Sequence, residues 1–257
     1  MKSRVSLPFL ALAGVILLVG LACGTTPTAT PTQPPVIQNP PTQPPPVQIQ
    51  PTQPPTEAPT EAPTEAPAEA PAYFTEEFDG LIPNWSYFLM SGDENKMNLE
   101  TGNGVLTFDL EGENIWVYLL YDPYIYTDVR IDARVENRGF NTNNVSLICR
   151  YSDKYGWYEF NIANSGLYWI YAYDETSKSY QALFNGGSTA IHSGKDVNEY
   201  TAICKGNTLA LYINGVEART ITEKRFAFRD GQAGISTSSF DVLPIIVEWD
   251  WVTISEP

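Results

Sequence analysis

Two groups of residues carry side chains whose types and spacing could do chemistry. The first lies in Val145-Ser-Leu-Ile-Cys-Arg150-Tyr151 and Trp157-Tyr-Glu159-Phe-Asn161. If these two runs are strands of one hairpin, strict alternation puts Arg150, Trp157, Glu159 and Asn161 on one face. Sugars present apolar C–H faces to aromatic rings and hydroxyls to planar polar groups, so these four are the candidate ligand-binding residues. The plainer alternative is a cross-strand ion pair between Arg150 and Glu159. The second group is Glu248-Trp249-Asp250, where alternation projects both carboxylates from one strand face. Two carboxyl groups about 5–10 Å apart across a cleft are the minimum equipment for glycoside hydrolysis. The plainer alternative there is a C-terminal edge strand with a solvated acidic face.

Several other chemistries lack their residues. The chain has one histidine, His192, in the loop-like Ala190-Ile-His-Ser-Gly194, so a serine–histidine–acid triad would depend on it alone. There is no Gly-x-Ser-x-Gly, no His-Glu-x-x-His and no phosphate-binding glycine loop. No Cys-x-x-Cys or Cys/His spacing supports zinc. No catalytic residue is assigned. Residues 73–257 hold 26 acids against 13 Lys and Arg, a formal charge of −13. That surface is wrong for phosphate-backbone contacts and excludes nucleic acid as the expected partner. It suits neutral ligands.

The elements that must position these residues read as strands. Turn words recur about every ten residues: Gly102-Asn103-Gly104, Asn164-Ser165-Gly166, Lys205-Gly206-Asn207 and Asn214-Gly215. Asn-Gly between Leu209-Ala-Leu-Tyr-Ile213 and Val216 is a two-residue type I′ hairpin signal. Between turns the residues are Val, Ile, Thr, Tyr, Phe and Trp in period-two alternation, and no helical period persists over three turns. About twelve or thirteen strands follow, too many for one open sheet, so two packed sheets are expected. Alternation assigns Val145, Leu147, Cys149 and Tyr151 to the core face of one strand. It assigns Tyr158, Phe160 and Ile162 to the core face of the next, with Trp169 also inside.

Three cysteines remain to be placed. Cys149 and Cys204 both fall on core faces of predicted strands, and a disulfide between them suits an exported protein. Closing such a loop stabilises by about 4 kcal/mol in the chain-entropy view.

Certain words in the domain carry a family likeness. Phe78-Asp79, Leu147-Ile-Cys-Arg150-Tyr151, Tyr158-Glu-Phe-Asn-Ile162, Asn198-Glu-Tyr200, Leu209-Ala-Leu-Tyr-Ile-Asn-Gly215, Gly231-Gln-Ala-Gly234 and Val247-Glu-Trp-Asp-Trp-Val252 together resemble concanavalin A-like (laminin G-like) domains. The resemblance implies an all-β fold, a two-sheet antiparallel jelly-roll sandwich over nearly all of residues 73–257. Tyr158-Glu159-Phe160-Asn161-Ile162 is similar to a strand of the 3-keto-disaccharide hydrolase-like members. That similarity implies that Glu159 and Asn161 line a concave surface beside Arg150, with Asn161 where those members carry Gln. Glu248-Trp249-Asp250 resembles the Glu-x-Asp strand of laminarinase-type glycosidases, although Val252 and Thr253 stand where a third acid is needed. Calcium is compatible with such folds and with the acidic charge, and no ligand set for it is legible.

The N-terminal part is of another kind. Lys2 and Arg4 precede an uncharged apolar run over 7–22, short for a membrane span and suited to an export signal. It ends in Gly20-Leu21-Ala22-Cys23-Gly24, which resembles the lipobox of bacterial lipoproteins. The resemblance implies cleavage before Cys23 and lipid on its thiol. Residues 25–72 then hold 16 of the 21 prolines, with Pro-Thr-Gln-Pro-Pro beginning at 31, 41 and 51 and Glu-Ala-Pro repeats after it. Such composition cannot bury a core and favours a disordered, extended linker, reaching roughly 150 Å at about 3.1 Å per residue.

The organisation expected is therefore a signal peptide over 1–22, a lipidated Cys23 with a Pro/Thr-rich linker over 23–72, and a β-sandwich over 73–257. The protein is expected to be exported, held on the extracytoplasmic side of a membrane by its lipid, and monomeric. Its expected function is non-catalytic binding of a glycan or another surface polymer. A carbohydrate-active hydrolase and an adhesive protein-binding module remain as alternatives.

Overall fold

A computed structural model of the chain describes residues 69–257. The expectations for the signal, the lipid on Cys23 and most of the linker lie outside these residues.

Among the described residues fifteen strands form, more than the sequence suggests. The excess includes elements such as the three-residue β1 (Phe74–Glu76), too short to show an alternation. One sheet contains β3 (Met97–Gly102), β4 (Val105–Leu110), β6 (Val129–Asn137), β11 (Val197–Lys205), β12 (Thr208–Ile213), β13 (Val216–Thr222) and β15 (Ile245–Ser255). Its order is β13-β12-β11-β6-β15-β4-β3, with β1 paired to β15. The other contains β2 (Trp85–Ser91), β5 (Trp116–Tyr121), β7 (Asn143–Ser152), β8 (Gly156–Ala163), β9 (Leu167–Asp174), β10 (Ser179–Gly187) and β14 (Gln232–Ser239). Its order is β10-β9-β8-β7-β14-β5-β2. Every pairing is antiparallel. The Asn214-Gly215 hairpin joins β12 to β13 with both residues at positive φ, as a type I′ turn requires.

Alternation explains the layers. In β6 the sequence Val-Arg-Ile-Asp-Ala-Arg-Val-Glu buries Val129, Ile131, Ala133 and Val135 and sends the charged residues outward. Across that outer face Arg134 pairs with Glu199 at 2.9 Å and Asp250 at 3.0 Å, and Arg138 with Glu136 and Glu248 at 2.8 Å each. Between the sheets lies one continuous core that includes Phe108, Tyr158, Phe160, Ile235 and Trp249. Trp249 Nε1 donates across it to Thr237 Oγ1 at 3.1 Å. The Cys149–Cys204 disulfide joins β7 of one sheet to β11 of the other.

The seven-stranded sheet departs from the simple pattern. Its outer face carries a second apolar cluster of Tyr118, Leu120, Ile148, Trp157 and Tyr173, flanked by Phe88, Trp116, Tyr151 and Tyr180. A solvent-facing sheet surface has no folding reason to collect so many rings.

Candidate functional site

The middle of that outer face is built from small residues. Along β14, Gly234, Ser236 and Ser238 pair on one side with Leu120, Tyr118 and Trp116 of β5. On the other side they pair with Ile148, Ser146 and Asn144 of β7. The next strand, β8, sets Asn161 opposite Ser146 and Glu159 opposite Ile148. Beyond it Tyr171 of β9 stands opposite Glu159, and Tyr180 of β10 stands opposite Tyr173. Large rings at both sides of a low floor leave a cavity of about 370 Å³. Its lining is Trp116, Tyr118, Asn144, Glu159, Asn161, Tyr171, Tyr180, Ser238 and Phe240.

Glu159 is buried at the base of this cavity, 2% exposed. Its Oε2 accepts from Tyr118 Oη at 2.8 Å and from Trp157 Nε1 at 3.3 Å. Its Oε1 accepts from Ser146 Oγ at 2.8 Å and from Asn161 Nδ2 at 3.0 Å. A carboxylate offers about four lone-pair sites, and all four are taken. The network extends outward from there. Asn144 Nδ2 donates to Asn161 Oδ1 at 2.6 Å, and Asn161 Nδ2 also reaches Ser146 Oγ at 2.9 Å. The Tyr118 hydroxyl has one proton, directed at Glu159, so its contact with Tyr180 at 2.6 Å makes Tyr180 the donor. Burial, then the Glu159 charge, pushes both phenols well above the ordinary tyrosine range. Both therefore remain O–H donors at every ordinary pH. Trp116 Nε1 and Ser236 Oγ on this face are buried without a protein partner.

The four residues singled out by alternation divide. Glu159 and Asn161 line the cavity together. Trp157 is on the same face but 2% exposed, stacked on Tyr173 at 4.1 Å, and it meets Glu159 through its N–H. It supports the site from beneath. Arg150 leaves the face altogether. The β7–β8 register shifts between Cys149 and Ser152, and Arg150 takes φ +55°, so the following residues exchange sides. Tyr151, expected inside, joins the outer cluster against Phe88 and Trp157. Arg150 instead donates to Thr127 O at 3.0 Å and Phe228 O at 2.8 Å and pairs with Asp128 at 3.4 Å. Gly231 packs on this bulge so closely that an added Cβ would lie 2.3 Å from Arg150 C and Tyr151 O. Trp169, also expected inside, is half-buried on the outer face opposite Asn161.

Trp116, Tyr118, Asn144, Tyr171, Tyr180, Ser238 and Phe240 were not singled out by the sequence. Alternation in Trp116-Val-Tyr118 does place the first and third residues on one face. Nothing local says that β5 lies two strands from β7, because strand order is set by long-range pairing.

Chemically the cavity holds one carboxylate and no cation. Glu248 and Asp250 lie on the other sheet, engaged by Arg138 and Arg134, and their strand β15 is not an edge, since long-range pairing sets it between β6 and β4. His192 is an exposed loop residue whose Nδ1 meets Val197 O at 3.0 Å. Among the described residues no group of three His, Cys, Asp or Glu could hold a metal ion.

No protein-family model matches this chain, and no curated protein matches its sequence. Solved structures do match it in shape. A prokaryotic β-1,3-1,4-glucanase (lichenase) derived from a mouse hindgut metagenome gives a TM-score of 0.55 at 12% identity, over 72% of this chain and 100% of that one. The catalytic domain of an endo-1,3-β-glucanase (laminarinase) from Thermotoga petrophila gives 0.53 at 8% identity, over 71% and 96%. A Bacillus subtilis protein with a galectin-like fold gives 0.55 at 8%, over 72% and 96%. At these identities the likeness establishes the fold: a concanavalin A-like jelly-roll sandwich.

Proposed function

We propose that the outer face of the seven-stranded sheet binds a neutral carbohydrate without cleaving it. The observation that carries this reading is the occupied state of Glu159. All four of its acceptor positions are filled by Tyr118, Trp157, Ser146 and Asn161. A general acid or nucleophile must release such bonds to reach a glycosidic oxygen or anomeric carbon, and the lining offers no second carboxyl group. What Glu159 does instead is fix the site's polar groups. It holds the Tyr118 hydroxyl, and through it that of Tyr180, with their protons spent inside the network, so that the Tyr180 oxygen is left as an acceptor, and it holds the Asn161 amide in place. Rings and fixed polar groups around a shaped hollow are the equipment of sugar recognition. The carbohydrate-acting neighbours of the same fold support this ligand class by analogy.

The domain's setting is part of the same proposal. Cys23 carries the lipid, and the Pro/Thr-rich linker over 25–72 holds the sandwich away from an extracytoplasmic membrane surface. A single folded sandwich that reads its ligand from one face fits a monomeric receptor or adhesin.

A hydrolase remains the second reading, favoured by one observation: a buried carboxyl group at the base of the cavity. A glycan array probed with a chain beginning at Gly24, with and without calcium, separates the two. Retention of neutral glycans with no sugar released on prolonged incubation is the expected result. Release of sugar from a retained glycan overturns the non-catalytic reading. No retention of any glycan overturns both and favours the protein-binding alternative.

A further inference from the structure

Resting on that carbohydrate reading, we infer that the cavity is one end of a longer groove for a neutral oligosaccharide, with Trp169 as the platform of a second sugar subsite. Trp169 sits on β9 two residues from Tyr171, on the same outer face. The two rings lie within 7° of parallel with centroids 6.4 Å apart. Tyr171 is a wall of the cavity, so Trp169 continues that wall by one more ring. The step between the rings is comparable with the width of one sugar ring.

The polar groups beside Trp169 repeat those of the cavity. Across the ladders it stands between Asn161 of β8 and Asn185 of β10. Asn161 lines the cavity and Asn185 is exposed. A ring flanked by two amides offers a platform for the C–H face of a sugar and planar partners for its hydroxyls. Among the described residues the indole N–H of Trp169 has no protein acceptor. It shares this with Trp116 of the cavity wall, whereas Trp85, Trp157 and Trp249 direct theirs to Glu76, Glu159 and Thr237. A single exposed ring is ordinary on a protein surface. Here the ring is half-buried, aligned with a cavity wall and bracketed by amides.

The step from Tyr171 to Trp169 runs along β9 toward the start of that strand, where the next residue on the same face, Leu167, is exposed.

The test is calorimetric titration of the chain beginning at Gly24 with homo-oligomers of glucose, mannose, galactose and xylose, one to six residues long. At least one series is expected to bind more tightly as length grows from one to three residues. Trp169→Ala is expected to remove that gain, about tenfold or about 1.4 kcal/mol for the longer members. It should leave the shortest bound member within about twofold and the melting temperature near that of the parent. Trp169→Phe should keep most of the gain. Affinity independent of length, or an intact length dependence in Trp169→Ala, overturns the second subsite while leaving the carbohydrate reading in place. Failure of every series at every length overturns both.

Discussion

Tyr118 Oη lies 2.8 Å from Glu159 Oε2 although β14 and β7 stand between the strands that carry them. The contact is made over the heads of Ser236 and Ser146, whose small side chains leave room for the phenol to reach across. The carboxylate thus ties β5, β7 and β8 together across β14. Replacing it should cost more than one hydrogen bond. Glu159→Gln keeps the shape but turns an –NH₂ toward groups that are themselves donors. We expect a loss of about 2–4 kcal/mol in unfolding free energy, since buried donors to a charged acceptor are left unpaired. Denaturant unfolding of the two proteins measures it. A loss under 0.5 kcal/mol would contradict the network.

The charge of the site should select against acidic sugars. Glu159 has no cation beside it, and the domain carries a formal charge of −13. A carboxylate or sulfate on a bound sugar about 8 Å away meets a repulsion of about 2 kcal/mol at an effective dielectric constant near 20. A uronate version of any neutral ligand is therefore expected to bind at least tenfold more weakly. The gap should narrow as salt is added. Equal affinity for the two at low salt would refute the prediction.

How much of this was legible in the sequence follows from what is local. Alternation placed Glu159 and Asn161 on one face, because β8 is regular over its whole length. It placed Tyr158 and Phe160 in the core for the same reason. It failed at Arg150 and Tyr151, where one residue at φ +55° inverts every side chain after it. That bulge depends on Gly231, some 80 residues later, which no strand pattern at residue 150 can reveal. The tyrosines of the site were visible as residues but not as neighbours. Tyr118 and Tyr180 meet only because β5 and β10 belong to one sheet.

Arg150 gives a separable prediction. Its guanidinium anchors the carbonyls of Thr127 and Phe228 and does not reach the cavity. Arg150→Ala should lower stability by about 1–3 kcal/mol, by taking the donor from the part-buried carbonyls of Thr127 and Phe228. Glycan affinity under native conditions should stay within twofold of the parent. A selective loss of binding with unchanged stability would return Arg150 to the ligand site.

The disulfide should act on the whole sandwich. Cys149 and Cys204 are 55 residues apart in sequence and bridge the two sheets. Opening that loop frees the unfolded chain by about 4 kcal/mol in the chain-entropy view. Cys149→Ala with Cys204→Ala should shift the denaturant midpoint accordingly, with little change in the m-value if the native fold persists. An unchanged midpoint would show that the bond does not contribute.

Acid should loosen one loop before the rest. Glu223, buried just after β13, accepts from Tyr158 Oη and from the amides of Arg225, Phe226 and Ala227. Burial alone would raise its pKa, but the Tyr158 hydroxyl and the three amides outweigh it and hold the carboxyl below its ordinary 4.5. A group whose folded pKa is depressed contributes stability that is complete above its unfolded value. That contribution is lost as pH falls through the lowered folded value. Hydrogen exchange at the amides of 225–227 should therefore show protection that holds at pH 6 and falls below pH 4.5, after correction for the intrinsic rate. Glu223→Gln should weaken protection at pH 6 and abolish most of its acid dependence. If parent and variant lose protection in parallel as the pH drops, the Glu223 carboxylate is not what orders the loop.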